Sequence, residues 1–252
     1  MAVQISNAFV TLFDSEVKQA YQGQRLLAGV TRERVGVEGS TVKFPKIGKG
    51  SATVRVPQTD VTPLNVSYSQ VTATMEDYIA AEYSDIFNQQ KVNFNERQEL
   101  VQVVSGAIAR RMDQVVLDAL DASGTTATVD NDIGGSDSNL NIEKLREAKN
   151  LLDTNNVPME GRTILLHANS LQALLGETEV TSADFNTVRA LVTGELNTFM
   201  GFRFITFGDR DEGGLPVDGS SDRTLYAFHR DAVGLGIGMN QTSRVDYIPE
   251  KT

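Results

Sequence analysis

The segment "NFNERQELVQVVSGAIARRMDQVVLDALDASG", residues 93 to 124, limits the possible folds more than any other. Leu100, Val104, Ile108, Met112, Val115, Val116 and Ala119 recur at helical spacing and make one apolar stripe. Asn95, with Gln98 three residues on, has the form of a capping box, and Gly124 suits a stop. From Glu96 to Asp121 a helix would run about 39 Å at 1.5 Å per residue. A single stripe on so long a helix has to be covered, so the spacing predicts a spine against which a sheet packs.

The stretch before it has another period. In "STVKFPKIGKGSATVRVPQTDVTPLNVSYSQVTATMEDY", Val42 and Phe44 alternate with polar neighbours, as do Ala52, Val54, Val56 and then Leu64, Val66, Tyr68. Pro45, Gly48, Gly50, Pro57 and Pro63 punctuate it. This predicts a long, poorly buried hairpin that needs another surface to hold its shape, with prolines blunting its edges. Its charge is one-sided. Lys43, Lys46, Lys49 and Arg55 fall between Gly39 and Thr59 with no acid, whereas Asp60, Glu76, Asp77, Glu82 and Asp85 fall between Val56 and Gln90 with no base. The net charge of the chain is −10. A basic finger on an acidic body argues against a sequence-reading nucleic-acid module. One stacking aromatic, Phe44, is too few for a single-strand platform. The finger is better matched to an acidic patch on a neighbouring copy, with Glu76, Asp77, Glu82 and Asp85 as candidate receptor and Lys43, Phe44, Lys46, Lys49 and Arg55 as the docking side. Such a contact is head-to-tail and closes into rings or extends into lattices.

The remaining elements follow from local pattern. "NAFVTLFDSEVKQAYQGQRLLAG" predicts a first helix stopping near Gly29, with Phe9, Leu12 and Phe13 on its apolar face. The polar "TTATVDNDIGGSDSN" predicts a loop at a domain border. Asn141 is the expected N-cap of the helix "IEKLREAKNLLDTN". A strand "TILLHA", a short helix "NSLQALLG", a helical connector "SADFNTVRALVTGELNTF", and strands "GFRFITFGD", "TLYAFHRDAVGLGIG" and "SRVDYIPEK" complete an α+β pattern.

Chemistry-bearing motifs are sparse. There is no cysteine, and the histidines are His167 and His229, so zinc sites and thiol chemistry have little to build on. "GLGIG" at 234 to 238 is followed by no helical stripe, so it reads as a strand that something approaches closely, not as a dinucleotide loop. "DNDIGGSDSNLN" has the flavour of a calcium loop, but Asn141 stands where the bidentate Glu is expected. A hydrolase built on His229 and Asp231 is a third-ranked reading, since no nucleophile elbow accompanies them. No run of about 18 apolar residues occurs, so no membrane partner is expected, and the N-terminus lacks the features of a signal peptide. No cofactor, metal or catalytic residue is expected.

The order of these elements resembles the major capsid proteins of tailed bacteriophages, the Hong Kong 97-like fold, and is nearest in look to podovirus coat proteins. "FVTLFDSEVKQAYQGQRLLAG", "GSTVKFPKIGKG", "NERQELVQVVSGAIARRMDQVVLDAL", "RTILLHANSLQALL" and "ALVTGELNTFMGFRFI" carry the resemblance. It implies an N-terminal arm over residues 1–37, an extended loop over 38–75, a peripheral domain from 76–123 with 224–252, and an axial domain over 124–223. It further implies self-assembly, through pentamers and hexamers, into an icosahedral head enclosing double-stranded DNA without sequence specificity. A separate scaffolding protein, a portal protein and a decoration protein are implied partners, the host bacterial cytoplasm the place of assembly and the virion the destination. Nothing marks a Lys–Asn crosslink, so Lys43, Lys46 and Lys49 are ordinary lysines. The chain departs from the resemblance at its end, where family members continue beyond the strand matched by "SRVDYIPEK" into another apolar strand. An encapsulin-type shell housing an enzyme is the alternative, and the shell sequence discriminates it poorly. In this reading Gly201 turns the connector into a strand, with Phe202 and Phe204 on one buried face.

Overall fold

The computed structural model describes residues 24–61, 63–83, 96–124, 127–177, 198–209, 212–217, 222–239 and 242. In chain order its elements are β1 (Arg32–Val35), β2 (Thr41–Ile47), β3 (Tyr68–Thr74), α1 (Glu96–Asp121), α2 (Ile142–Thr154), β4 (Arg162–His167), α3 (Ala168–Leu175), β5 (Thr198–Phe199), β6 (Phe202–Phe207), β7 (Tyr226–His229), a 3₁₀ turn (Arg230–Ala232) and β8 (Gly234–Ile237). The mixed helix-and-strand pattern is as expected.

The core is a four-stranded sheet in the order β5-β6-β4-β7. Its strands alternate sides, as the pleat requires. Ile164, Leu166, Phe202 and Phe204 face α2 and α3 through Ile142, Leu145 and Leu174. Leu165, Ile205, Phe207 and Phe228 face the spine helix α1 through Val116 and Leu117, joined by Leu27, Val30 and Leu215. The sheet is thus the middle of three layers. Phe202 and Phe204 do share one buried face.

Several details differ from the expectation. β4 and β6 are parallel, with α3 in the crossover between them. The expected connector does not run helically into β6: Thr198–Phe199 pairs antiparallel with Arg203–Phe202. The turn between them places Met200 at φ 52° and Gly201 at φ 85°. Two successive left-handed residues are the signature of a two-residue hairpin turn that matches strand twist. "TLYAFHRDAVGLGIG" divides into β7 and β8 around the 3₁₀ turn. The expected first helix does not include Gln24 to Leu27, which have no helical structure. There the amides of Leu26 and Leu27 donate to the two carboxylate oxygens of Asp113 on α1, at 2.8 and 3.1 Å. A buried carboxylate offers two fixed acceptors, and these two successive amides take one each. Phe9, Leu12, Phe13, Asn95 and the strand "SRVDYIPEK" lie outside the described residues.

The stripe on α1 is covered only towards its C-terminal end, where Asp113, Val116 and Leu117 are buried. Leu100, Val104, Ile108 and Met112 are half-buried, and Val101 and Val103 are exposed. Asn141 caps α2 as expected, its side chain accepting from the amide of Lys144 at 2.8 Å.

Candidate assembly surface

The hairpin is built from β2 and β3, seven pairs running from Thr41↔Thr74 to Ile47↔Tyr68. Beyond the last pair, Gly48 donates to Ser67 at 2.8 Å. The expected strand through Ala52, Val54 and Val56 does not form: residues 48–61 carry no ladder. Alternation alone cannot hold a strand there, because the segment has nothing to bury its apolar side against.

The root of the hairpin is seated on the chain itself. β1 and β8 form a two-stranded parallel sheet from Arg32↔Gly234 to Val35↔Ile237, and β2 lies over β8. The seat is made by missing side chains. A Cβ on Gly234 would stand 2.9 Å from Cε1 of Phe44, and one on Gly236 would stand 2.8 Å from Cγ1 of Val42. This is the close approach that "GLGIG" implies. Met75, at the end of β3, lies against Gly236 and Gly238.

That seating sorts the candidate docking residues. Val42, Phe44 and Lys46 share one face of the ladder with Ala73, Val71 and Ser69. Lys43 and Ile47 share the other with Thr72 and Tyr68. Lys43 and Lys46 therefore point to opposite sides, which a count of bases does not reveal. Phe44 is half-buried over Gly234 and belongs to the root. Lys49 and Arg55 are exposed in the unpaired tip. The tip and outer face are also strongly apolar: Val54 is 93 % exposed, Val61 91 % and Tyr68 80 %, with Ile47, Val56 and Leu64 more than half exposed.

The acidic stretch follows β3 directly. Glu76, Asp77 and Glu82 are exposed, and Asp85 lies outside the described residues. Tyr78 fixes this stretch to the spine. Its hydroxyl donates to Glu76, and the guanidinium of Arg111 lies 4.6 Å from its ring centre. Arg111 also reaches Glu212 at 3.4 Å. The hydrogen bond with Tyr78, ahead of the charges of Tyr78 and Glu212, raises the pKa of Arg111 above its ordinary value. Ile79 beside it is 92 % exposed.

The histidines are structural. In His229, Nε2 pairs with the carbonyl of Glu160 at 2.8 Å and Nδ1 accepts from the amide of Asp231 at 3.2 Å. Both ring nitrogens are occupied by backbone, so the pair with Asp231 offers no general base. His167 caps α3, accepting from the amide of Asn169 at 3.2 Å, with Nε2 3.3 Å from Asp209. In the calcium-like loop one carboxylate oxygen of Asp130 accepts from the amide of Asp132, and one of Asp132 from that of Asp137, each at 3.1 Å. Among the described residues no group of three His, Asp or Glu side chains could hold a metal. No helix there is long and apolar enough to cross a membrane.

Asp113 is the residue that sequence reading missed. It has no exposed surface, yet it stands on the apolar stripe where an acid is least expected. A lone acid between Met112 and Val116 was the available signal.

An extended finger rooted on its own body, a bare apolar tip and a long spine under a sheet are features of a subunit made to be covered by others. The family comparison agrees, with residues 5–252 matching the family described as phage capsid protein. The chain belongs to that family. No curated protein matches it by sequence. Among solved structures, this capsid protein is similar to that of the cyanophage P-SCSP1u, with a TM-score of 0.69 at 17 % identity, covering 94 % of this chain and 82 % of the other. A structure from Mycobacterium phage Che8 gives a TM-score of 0.65 at 18 % identity, over 91 % of this chain and 83 % of that one. The capsid of Ralstonia phage GP4 gives 0.62 at 9 % identity, over 93 % and 83 %. The Hong Kong 97-like fold expected from element order is consistent with these neighbours. As a phage capsid protein it is a structural component of the virion, and its partners there are copies of itself.

Proposed function

We propose that this capsid protein is the major coat subunit of an icosahedral head that encloses double-stranded DNA, formed from pentamers and hexamers. The observation that supports this reading is the hairpin: its root is anchored, while its outer face and tip expose Ile47, Val54, Val61, Leu64 and Tyr68. Burying one such side chain contributes roughly 1.5–3 kcal/mol, whereas an exposed ion pair contributes about 0–1 kcal/mol. Apolar burial on a neighbour therefore supplies the stability of the contact. Lys43 on the outer face, with Lys49 and Arg55 of the tip, meets Glu76, Asp77, Glu82 and Asp85 of the next copy and sets its register, while Lys46 lies on the other face of the ladder. Phe44 serves the contact indirectly by holding the root.

The domain limits follow this division of labour: arm 1–37, docking loop 38–75, peripheral domain 76–123 with 224–252, and axial domain 124–223. The arm adds Phe9, Leu12 and Phe13 to a neighbour. Assembly takes place in the host bacterial cytoplasm with scaffolding, portal and decoration proteins. The family match favours this reading over an enzyme-housing compartment.

Light scattering and electron microscopy of the purified protein test it. Closed shells tens of nanometres across are expected, and a stable monomer at high concentration with scaffolding protein present refutes it. Lys43→Glu with Lys49→Glu should block or misdirect shells while leaving the subunit folded. Normal shells from that variant would remove the charge-register argument.

A further inference from the structure

At the end of the four-stranded sheet where β4 and β6 begin, a half-open cleft of about 350 Å³ is lined by Arg162, Arg203 and Arg230 with Thr163, Thr198 and Glu160. Its basic residues are set there by the fold. Arg203 pairs with Thr163 of β4 on one side and Thr198 of β5 on the other, so the three share one face. Arg230 opens the 3₁₀ turn, and its amide donates to the carbonyl of Gly161 at 3.0 Å. The preceding residue, His229, holds the carbonyl of Glu160 at 2.8 Å. Two hydrogen bonds therefore staple this rim together.

The charge on the cleft is under-compensated. Arg162 is 2 % exposed. It donates through Nε to the carbonyl of Pro158 at 2.9 Å and through Nη2 to that of Val157, and it pairs with Asp153 at 2.7 Å. Its Nη1 is buried without a hydrogen-bond partner among the described residues. The guanidinium groups of Arg203 and Arg230 have no ion pair or side-chain hydrogen bond there either. The guanidinium of Arg162 is spent on the α2 side, so the unpaired bases on the lining are Arg203 and Arg230, and the acid there is Glu160. The two unspent guanidinium forks, those of Arg203 and Arg230, are suited to a carboxylate, which takes two parallel hydrogen bonds from a fork.

We propose that this cleft receives a carboxylate of a second copy of the chain, an inference that rests on the shell reading above. The acidic body argues for that source. With a net charge of −10, copies brought side by side repel unless a basic receptor meets an acid. A nucleic-acid backbone needs a basic track along many phosphates, and this cleft is a single concavity. The donor is the loop before α2, where Asp130, Asp132 and Asp137 are exposed. α2 has 13 residues and spans about 20 Å from this loop to the turn that opens into β4. Receptor and donor thus stand at opposite ends of one helix. A contact between unlike patches is head-to-tail, the geometry that closes subunits into rings.

The test compares shell yield, by electron microscopy and sedimentation, for the full chain co-expressed with its scaffolding protein. Arg203→Glu with Arg230→Glu should lower the yield at least tenfold with the subunit's circular dichroism and melting unchanged. The neutral pair Arg203→Gln and Arg230→Gln guards against misfolding and should give an intermediate loss. Adding Asp130→Lys, Asp132→Asn, Ser136→Lys and Asp137→Asn to the reversed chain should restore shells. Wild-type yield from the reversed chain overturns the proposal while leaving the shell reading intact. So does a loss that the loop substitutions fail to restore, and so do normal shells that retain less DNA, which would make phosphate the ligand. Failure of the wild-type chain to form shells would refute the shell reading itself.

Discussion

Adding one methyl group at Gly236 should loosen the hairpin from the body. In Gly236→Ala the new Cβ would stand 2.8 Å from Cγ1 of Val42, against an optimal carbon–carbon separation of about 3.5–4.0 Å. Val42 is 2 % exposed and β-branched, so it has little freedom to swing aside. It is also held in the ladder opposite Ala73. Relief has to come from shifting β2 off β8. Overpacking of this kind costs about 1–3 kcal/mol. For a chain of this size, 1 kcal/mol corresponds to roughly 2–4 °C in the melting midpoint. The expected change is therefore a drop of about 2–12 °C in subunit melting, with faster amide exchange across β2 and β3. Val42→Ala alone should also destabilise, by opening a cavity. The two together should cost less than their sum, because the smaller side chain makes room for the new methyl. A Gly236→Ala subunit as stable as wild type, or strictly additive effects in the pair, would refute the seating of the hairpin on β8.

Two further outcomes follow from the sheet. Gly201→Val forces a β-branched residue to φ 85° in the β5–β6 turn, next to Met159. It should cost about 1–3 kcal/mol, seen in the denaturant midpoint, while Gly201→Asn should be milder because Asn tolerates the left-handed region. The second outcome concerns acid. The hydrogen bond from Arg162, then that from Lys149, holds the carboxyl of Asp153 below its ordinary value. A carboxyl depressed by folding stabilises above its unfolded pKa, and that contribution is lost as pH falls through the folded value. Nuclear magnetic resonance titration should find Asp153 below about 3.9, and Arg162→Met should bring it back towards that value and flatten the acid limb of the stability curve. An unshifted Asp153 in the wild-type subunit would count against the ion pair.

Period-two alternation around Val42 and Phe44 and the helical stripe after Asn95 made the hairpin and the spine legible, because each pattern is a local consequence of one buried face. The cap at Asn141 was legible for the same reason. What failed to show was non-local. β1 reads "RERV", a charged run that becomes a strand only because β8 lies beside it. The side of the ladder occupied by each lysine needed the register, and the register needed both strands. Asp113 is hidden by its own type: an acid on an apolar stripe looks like a solvated position until the amides of Leu26 and Leu27 are placed on it. The turn at Met200–Gly201 lacks the Asn-Gly signal of its geometry, so a helix-to-strand passage was the natural expectation.

The pairing of β1 with β8 also sets a clock. Arg32 meets Gly234, so the two partners leave the ribosome 202 residues apart. At about 5–20 residues per second, the glycine seat emerges roughly 10–40 s after the strand it will flank. Until then the finger has been synthesised but has no fixed bearing. A shell subunit that aims its grip only once β8 has been translated is less able to seize the nascent chain growing beside it on the same message.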